Sequence, residues 1–262
     1  VAGFVRGRSV PTGLRVVNLD LVPDATSGRP DARINLGPNG IGRLSVVGDL
    51  NHDGYDEIAL ASAREDVSSG GLFIFFGGVT MDPALTPMKA ALTLSRDGAA
   101  ALSPGAVFEG SLQATAGDFN DDGRMDLAIG EPTRLLKKDG QVLDRNDEGR
   151  VSVFFSVTDL PGQKLVLDQA DLKLKGEFEF DAFGTLPTRA SSDLNHDGID
   201  DLLIGAANVN GVIDGIVTGA GRVYVVPGTP KLFDLPSRFE ILTNFTVTGS
   251  GDFLVDEGTG RP

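Results

Sequence analysis

A nine-residue pattern, Asp-x-Asn-x-Asp-Gly-x-x-(Asp or Glu), occurs three times in the chain, and an apolar run follows each copy. The copies are Asp49-Leu50-Asn51-His52-Asp53-Gly54-Tyr55-Asp56-Glu57, Asp118-Phe119-Asn120-Asp121-Asp122-Gly123-Arg124-Met125-Asp126 and Asp193-Leu194-Asn195-His196-Asp197-Gly198-Ile199-Asp200-Asp201. Their first aspartates stand 69 and 75 residues apart. The pattern constrains the chain twice over. Locally it demands a tight, oxygen-rich turn, and globally it sets the length of a repeating unit.

Side-chain oxygens at positions one, three and five of a tight turn can converge on one point. Glycine at position six lets the backbone fold back with positive φ, which a Cβ would resist. The carbonyl at position seven can then face the same point, and the acid at position nine can close the cage. Hard oxygen ligands of this kind suit Ca²⁺ far better than zinc or copper, and Mg²⁺ favours smaller octahedral sites that keep several waters. The sequence therefore predicts three calcium sites. The first would use Asp49, Asn51, Asp53, the Tyr55 carbonyl and Glu57. The second would use Asp118, Asn120, Asp122, the Arg124 carbonyl and Asp126, and the third Asp193, Asn195, Asp197, the Ile199 carbonyl and Asp201. An EF-hand would need a bidentate Glu at position twelve and a helix on each side. Here position twelve is Leu60, Ile129 or Ile204, inside short aliphatic runs (57–61, 126–129, 201–204) that read as strands. Acidic turns that bind nothing are the plainer alternative; three matched copies of four oxygen side chains argue against it.

Each loop lies in the same longer context, as in repeat architectures. Upstream stand Ile41-Gly42, Phe108-Glu109-Gly110 and Phe183-Gly184; downstream come Leu60-Ala61-Ser62-Ala63, Ile129-Gly130-Glu131-Pro132 and Ile204-Gly205-Ala206-Ala207. A glycine then opens a third strand at Gly71, Gly149 and Gly221, and a fourth, more polar strand is expected at 91–94, 171–175 and 239–242. Four strands per unit with polarity rising outward match a propeller blade. On these residues the chain, over roughly 32–242, resembles the FG-GAP repeats of integrin α-subunit propellers and many bacterial surface proteins. The resemblance implies an all-β propeller, or a propeller segment, of four-stranded antiparallel blades with calcium loops. The Phe-Gly pairs are expected to be packing residues.

The expected organisation is one domain over 1–262, with repeats at about 37–94, 105–175 and 180–242. Three blades are fewer than propeller rings generally use. Residues 1–36 and 243–262 are therefore expected to give a partial blade: strands at 14–22 and 32–36 as its outer pair, and 245–248 and 253–255 as its inner pair. A piece of a longer propeller, and an open arc completed by a neighbouring molecule, stand as alternatives.

The net charge is −14, and the three loops hold twelve of the 37 acids. Three bound calcium ions would bring the charge to −8. An acidic chain is a poor match for nucleic acid, whose binding rests on Lys and Arg. No apolar run approaches the roughly 20 residues of a membrane helix, so membrane insertion is not expected. Val1-Ala2-Gly3-Phe4-Val5-Arg6 lacks a signal-peptide core, so any targeting segment is expected outside this chain. With no cysteine, and histidine only at His52 and His196 inside the loops, thiol catalysis and a Ser-His-Asp triad have no seat. The chain is expected not to be an enzyme.

Weak calcium affinities of extracellular modules point to an extracellular, cell-surface or periplasmic setting. In an antiparallel meander, the connections after strand two leave from the end opposite the calcium loops. In the integrin-like propellers that this chain resembles, that face docks ligands. Segments 133–149 and 208–221 are thus expected to be recognition loops for a protein partner. A surface-layer or fibre protomer joined through blade edges is a second reading. A carbohydrate-binding or enzyme-associated module is a third, weakened by the absence of Trp and the presence of only two Tyr.

Overall fold

The computed structural model describes residues 2–4, 32–66, 70–78, 84–96, 98, 103–146, 148–157, 162–176, 181–188, 193–207, 210–213, 216–219, 221–230 and 232. Ahead of the first loop lie β1 (Ala2–Phe4), β2 (Ala32–Ile34) and β3 (Ile41–Gly48). The rest of the first repeat is β4 (Glu57–Ser62), β5 (Arg64–Glu65), β6 (Leu72–Phe75), β7 (Ala84–Leu85) and β8 (Leu92–Ser95). The second comprises β9 (Ala106–Glu109), β10 (Gln113–Gly117), β11 (Asp126–Glu131), β12 (Arg134–Lys138), β13 (Gln141–Asn146), β14 (Arg150–Phe154), β15 (Gln163–Val166) and β16 (Leu172–Lys175). The third has β17 (Phe183–Thr185), β18 (Leu202–Ala206), β19 (Asn210–Ile213), β20 (Ile216–Gly219) and β21 (Arg222–Val226).

The chain is all-β, and each repeat builds an antiparallel meander. The second repeat forms a four-stranded sheet in the order β10-β11-β14-β16. The first forms β3-β4-β6-β8, and the third β17-β18-β21; its expected fourth strand at 239–242 lies outside the described residues. A further rule links successive repeats. Between its third and fourth strands, the first repeat lays β7 parallel to β2, and the second lays β15 parallel to β8. In both, a single 3₁₀ turn follows (Pro87–Lys89, Leu167–Gln169) before the fourth strand begins. Each added strand pairs the backbone groups that the neighbouring sheet would otherwise leave open at its edge.

Because side chains alternate along a strand, each sheet buries both faces against different neighbours. Ile58 and Leu60 of β4 join Ile34, Phe73, Phe75 and Leu85, while Ala59 and Ala61 join Leu72, Ala114 and Leu127. Likewise Leu127 and Ile129 of β11 face the first repeat, and Ala128 faces Phe183, Leu202 and Ile204 of the third. Inner strands also meet across repeats: Val46 N–H donates to the Thr188 carbonyl at 2.9 Å, and Arg43 Nη2 to the Leu186 carbonyl at 2.9 Å. Phe108 and Phe183 are buried as expected, and Phe183 meets Tyr224 edge-on, with ring centroids 5.4 Å apart. Gly130 is required here, because a Cβ would lie 1.9 Å from the Gly184 carbonyl oxygen.

A buried ion network joins the first two repeats. Arg96, fully enclosed just after β8, pairs through Nη1 with Glu65 Oε2 at 3.0 Å and through Nε with Glu131 Oε1 at 2.5 Å. Its Nη2 donates to the Gly110 carbonyl, and its backbone N–H donates to Glu65 Oε1 at 2.9 Å. Arg150 Nε meets the other Glu131 oxygen at 2.8 Å. Burial pushes Glu65 up to about 7 against the opposing pull of Arg96.

One expectation lies outside the described residues, and another changes. The strand antiparallel to β2 is β1 at Ala2–Phe4, whereas residues 14–22 lie outside the described residues, as do 245–248 and 253–255. Segments 133–149 and 208–221 are not loops but largely hairpins, β12–β13 and β19–β20. The first hairpin continues through β9 to β5 in a second four-stranded sheet that spans the first two repeats.

Candidate metal-binding loops

All three acidic loops connect the first and second strands of their sheets: β3 to β4, β10 to β11, and β17 to β18. Their hydrogen bonding repeats almost atom for atom. In the first, Asp49 Oδ1 accepts the Asp53 N–H at 3.0 Å and Oδ2 the Gly54 N–H at 2.8 Å. Asn51 Oδ1 accepts the Asp53 N–H at 2.9 Å, and Asp53 Oδ1 accepts the Tyr55 N–H at 2.9 Å. Asp118, Asn120 and Asp122 make the same bonds to Asp122, Gly123 and Arg124. Asp193, Asn195 and Asp197 make them to Asp197, Gly198 and Ile199. Asx turns of this kind bend the chain around its own carboxylates.

The backbone explains two sequence choices. Position six has φ of +88°, +77° and +95° at Gly54, Gly123 and Gly198. Position four is also left-handed, at +58°, +58° and +62° for His52, Asp121 and His196. Histidine and aspartate are among the side chains that tolerate this region best. The two histidines are exposed, and their place in the pattern is conformational.

Burial is graded in the same way through each loop. The first aspartate is half-buried, the fifth position is exposed, and the ninth is buried. In all three loops the ninth carboxylate clasps the loop to the rest of its sheet. Glu57 accepts the Leu50 N–H at 2.5 Å and the Gly77 N–H at 3.2 Å. Asp126 accepts from Phe119 at 2.9 Å and Ser156 at 2.8 Å, and Asp201 from Leu194 at 2.8 Å and Gly228 at 3.0 Å. Gly77, Ser156 and Gly228 just past the third strand were not legible as parts of the loop, because the clasp crosses 20, 30 and 27 residues of sequence. Ser156 Oγ also donates to Asp122 Oδ2 at 2.6 Å, a bond that belongs to the second loop. The second and third loops are tied together as well, since the Asp118 N–H donates to Asp200 Oδ2 at 3.0 Å.

Burial first, and neighbouring charge after it, shifts titration in the loops. Glu57 lies above its ordinary value, through burial and then through Asp53 and Asp49. Asp126 is pushed up to about 7, by burial first and then by Asp122 and Asp118. Asp200 is raised by burial and by Asp118, Asp193 and Asp201. Asp122 goes the other way: burial raises it, but hydrogen bonds from Ser156, Arg124 and Asn120 outweigh that and hold it low.

The donor set fits a hard cation. One oxygen each of Asp49, Asp53 and Glu57 lies within 4.8 Å of the others. Two oxygens on opposite sides of a calcium ion, each about 2.3–2.6 Å away, would be separated by a similar span. Among the described residues this three-acid convergence is met by the first loop. Its ninth residue is Glu57, one methylene longer than Asp126 and Asp201. The hydrogen-bonded frame is shared by all three loops.

Comparison with known proteins agrees with this geometry. The FG-GAP repeat family matches residues 112–154 and 190–226, the second and third units. Integrin alpha-X of Mus musculus is 29% identical over 93 residues, covering 36% of this chain and 7% of that protein. Integrin alpha-M of Mus musculus is 31% identical over 93 residues, covering 36% of this chain and 8% of that protein. The chain thus spans less than a tenth of the length of these relatives. Residues 112–154 and 190–226 are FG-GAP repeats, in an all-β chain similar over about a third of its length to integrin α-subunits.

Proposed function

We propose that this chain is a stretch of calcium-stabilised β-propeller, with blades at about 37–94, 105–175 and 180–242. It acts outside the cytoplasm as a non-catalytic adhesion or protein-interaction module. The observation that carries this reading is the threefold repetition of one hydrogen-bonded acidic loop at the same end of successive sheets. Clustered carboxylates held above their ordinary pKa are a poor arrangement for the bare protein and a favourable one around a divalent ion.

Calcium would be held by Asp49, Asn51, Asp53, the Tyr55 carbonyl and Glu57, and by their counterparts Asp118, Asn120, Asp122, Arg124 and Asp126, and Asp193, Asn195, Asp197, Ile199 and Asp201. It supplies charge compensation and joins the first and second strands of each blade. At a free concentration a hundredfold above its dissociation constant, each ion stabilises the fold by roughly 2.7 kcal/mol. Three together rival the whole stability of an ordinary domain. Native mass spectrometry with and without EDTA tests this: three ions per chain and a large fall in melting temperature on chelation are expected. No bound calcium, or unchanged melting, would overturn the reading.

A further inference from the structure

The second and third acidic loops touch, and the contact runs through residues at or beside their ligand positions. Asp118, first in its loop, donates its N–H to Asp200 Oδ2 at 3.0 Å, and its carbonyl accepts the Asp200 N–H at 3.2 Å. Asp200 is eighth in the third loop, between Ile199 and Asp201, whose carbonyl and carboxylate are both expected ligands. A further bond lies one residue along: the Phe119 carbonyl accepts the Thr229 N–H at 2.9 Å. Thr229 follows Gly228, whose N–H donates to Asp201 Oδ1 at 3.0 Å. Positions one and two of the second loop are thus bonded to position eight of the third loop and to its clasp.

The fit is close on both sides of Asp200. A Cβ at Gly117 would lie 2.9 Å from Asp200 Oδ2, and one at Gly228 would lie 2.4 Å from the Asp200 carbonyl oxygen. Packed this tightly, Asp200 does not shift without moving one of those backbones. The first loop is joined differently. In the second loop the counterpart of Asp200 is Met125, which packs against the core cluster of Leu127 and Ile129. A thioether is a weak acceptor and carries no charge. Val157, at the place of Thr229, donates to the Met125 carbonyl of its own loop at 2.9 Å.

We infer that Asp200 couples the second and third calcium loops, so that filling either one tightens the other, while the first loop fills on its own. The coupling rests on the calcium reading above and concerns the same sites. With the Ile199 carbonyl and Asp201 engaged on an ion, the stretch between them is fixed, and so is the carboxylate that holds Asp118. The second loop is then preorganised and loses less freedom when it fills. Two dications repel one another, and the Asp200 carboxylate at the junction offsets that repulsion. Coupling is reciprocal, so the second loop must tighten the third by the same factor.

The test is NMR of the ¹⁵N-labelled chain, saturated with calcium and then taken to lower free calcium with a chelator buffer. The amides of Gly54, Gly123 and Gly198 report the three loops separately, because each donates to the first aspartate of its own loop. Asp197→Ala should weaken calcium at Gly123 by about fivefold or more and leave Gly54 within about twofold. Asp122→Ala should weaken Gly198 by the same factor. With Asp200→Ala in place, adding Asp197→Ala should no longer change Gly123. Should a variant unfold as calcium falls, amide exchange in saturating calcium replaces the affinity: Asp197→Ala should speed exchange at Gly123 by about fivefold and not at Gly54. An unchanged Gly123, an equal effect on Gly54, or a coupling that survives Asp200→Ala would each overturn the proposal and leave three separate calcium sites. No calcium on any loop would overturn the calcium reading, and the coupling with it.

Discussion

The two ends of the sheets answer to different physical demands. At one end, three loops repeat the same bonds, the same left-handed positions and the same gradient of burial. At the other end, the three connections between second and third strands differ among the described residues. The first holds the two-residue β5, the second the β12–β13 hairpin within a sheet spanning two repeats, and the third a separate β19–β20 hairpin. A loop whose backbone N–H groups at positions two, five, six and seven bond to its own side-chain oxygens tolerates little variation. A connection that only has to return the chain is free to change, and change is where individual repeats acquire their own contacts.

That contrast can be broken by making like substitutions in unlike repeats. Ser62, Glu131 and Ala206 occupy the same repeat position at the end of the second strand. Glu131→Ala leaves Arg96 and Arg150 without their shared carboxylate and should cost about 3–5 kcal/mol in chemical denaturation, as for any broken buried pair. A loss below about 1 kcal/mol would show that the network is solvated rather than buried. The next largest effect belongs to the loops, where position should matter little. Asp49→Ala, Asp118→Ala and Asp193→Ala should each remove one calcium and about 2–3 kcal/mol in saturating calcium. Losses that differ widely among the three would mean that the shared frame does not give shared affinity.

Titration sharpens the comparison. Glu65 is pushed up to about 7 from 4.5, so between those values the folded chain holds a proton that the unfolded chain has released. The stability this gives is complete below the lower value and is lost as pH rises through the upper one. In saturating calcium, wild type relative to Glu65→Gln should lose on the order of 2 kcal/mol between about pH 5 and 8. A difference that stays flat with pH would place Glu65 as a fully ionised partner of Arg96. The smallest effect is expected for Ser62→Ala, about 0.5–1.5 kcal/mol, from loss of the bond between Ser62 Oγ and the Gly70 carbonyl at 2.9 Å.

Much of the second and third strands was legible because their cause is local. Aliphatic runs at 57–61, 126–129 and 201–204 follow each loop, and the observed strands are Glu57–Ser62, Asp126–Glu131 and Leu202–Ala206. The sequence at 133–149 reads as a loop because its charged side chains hide the alternation, and its strand character comes from pairing with β9. Arg96 gave no signal at all. It stands outside the periodic segments, and only the approach of Glu65 and Glu131 from two repeats turns it from a surface residue into a buried one.

The sequence by itself determined the acidic turns, the repeat length and the meander of each unit, since turn chemistry, glycine and alternation act over a few residues. Only the tertiary structure decided what the ninth acids clasp, which edges β7 and β15 cover, and where Asp200 meets Asp118. Those features depend on strand register and on the approach of one repeat to the next, and neither is encoded in any single stretch of chain.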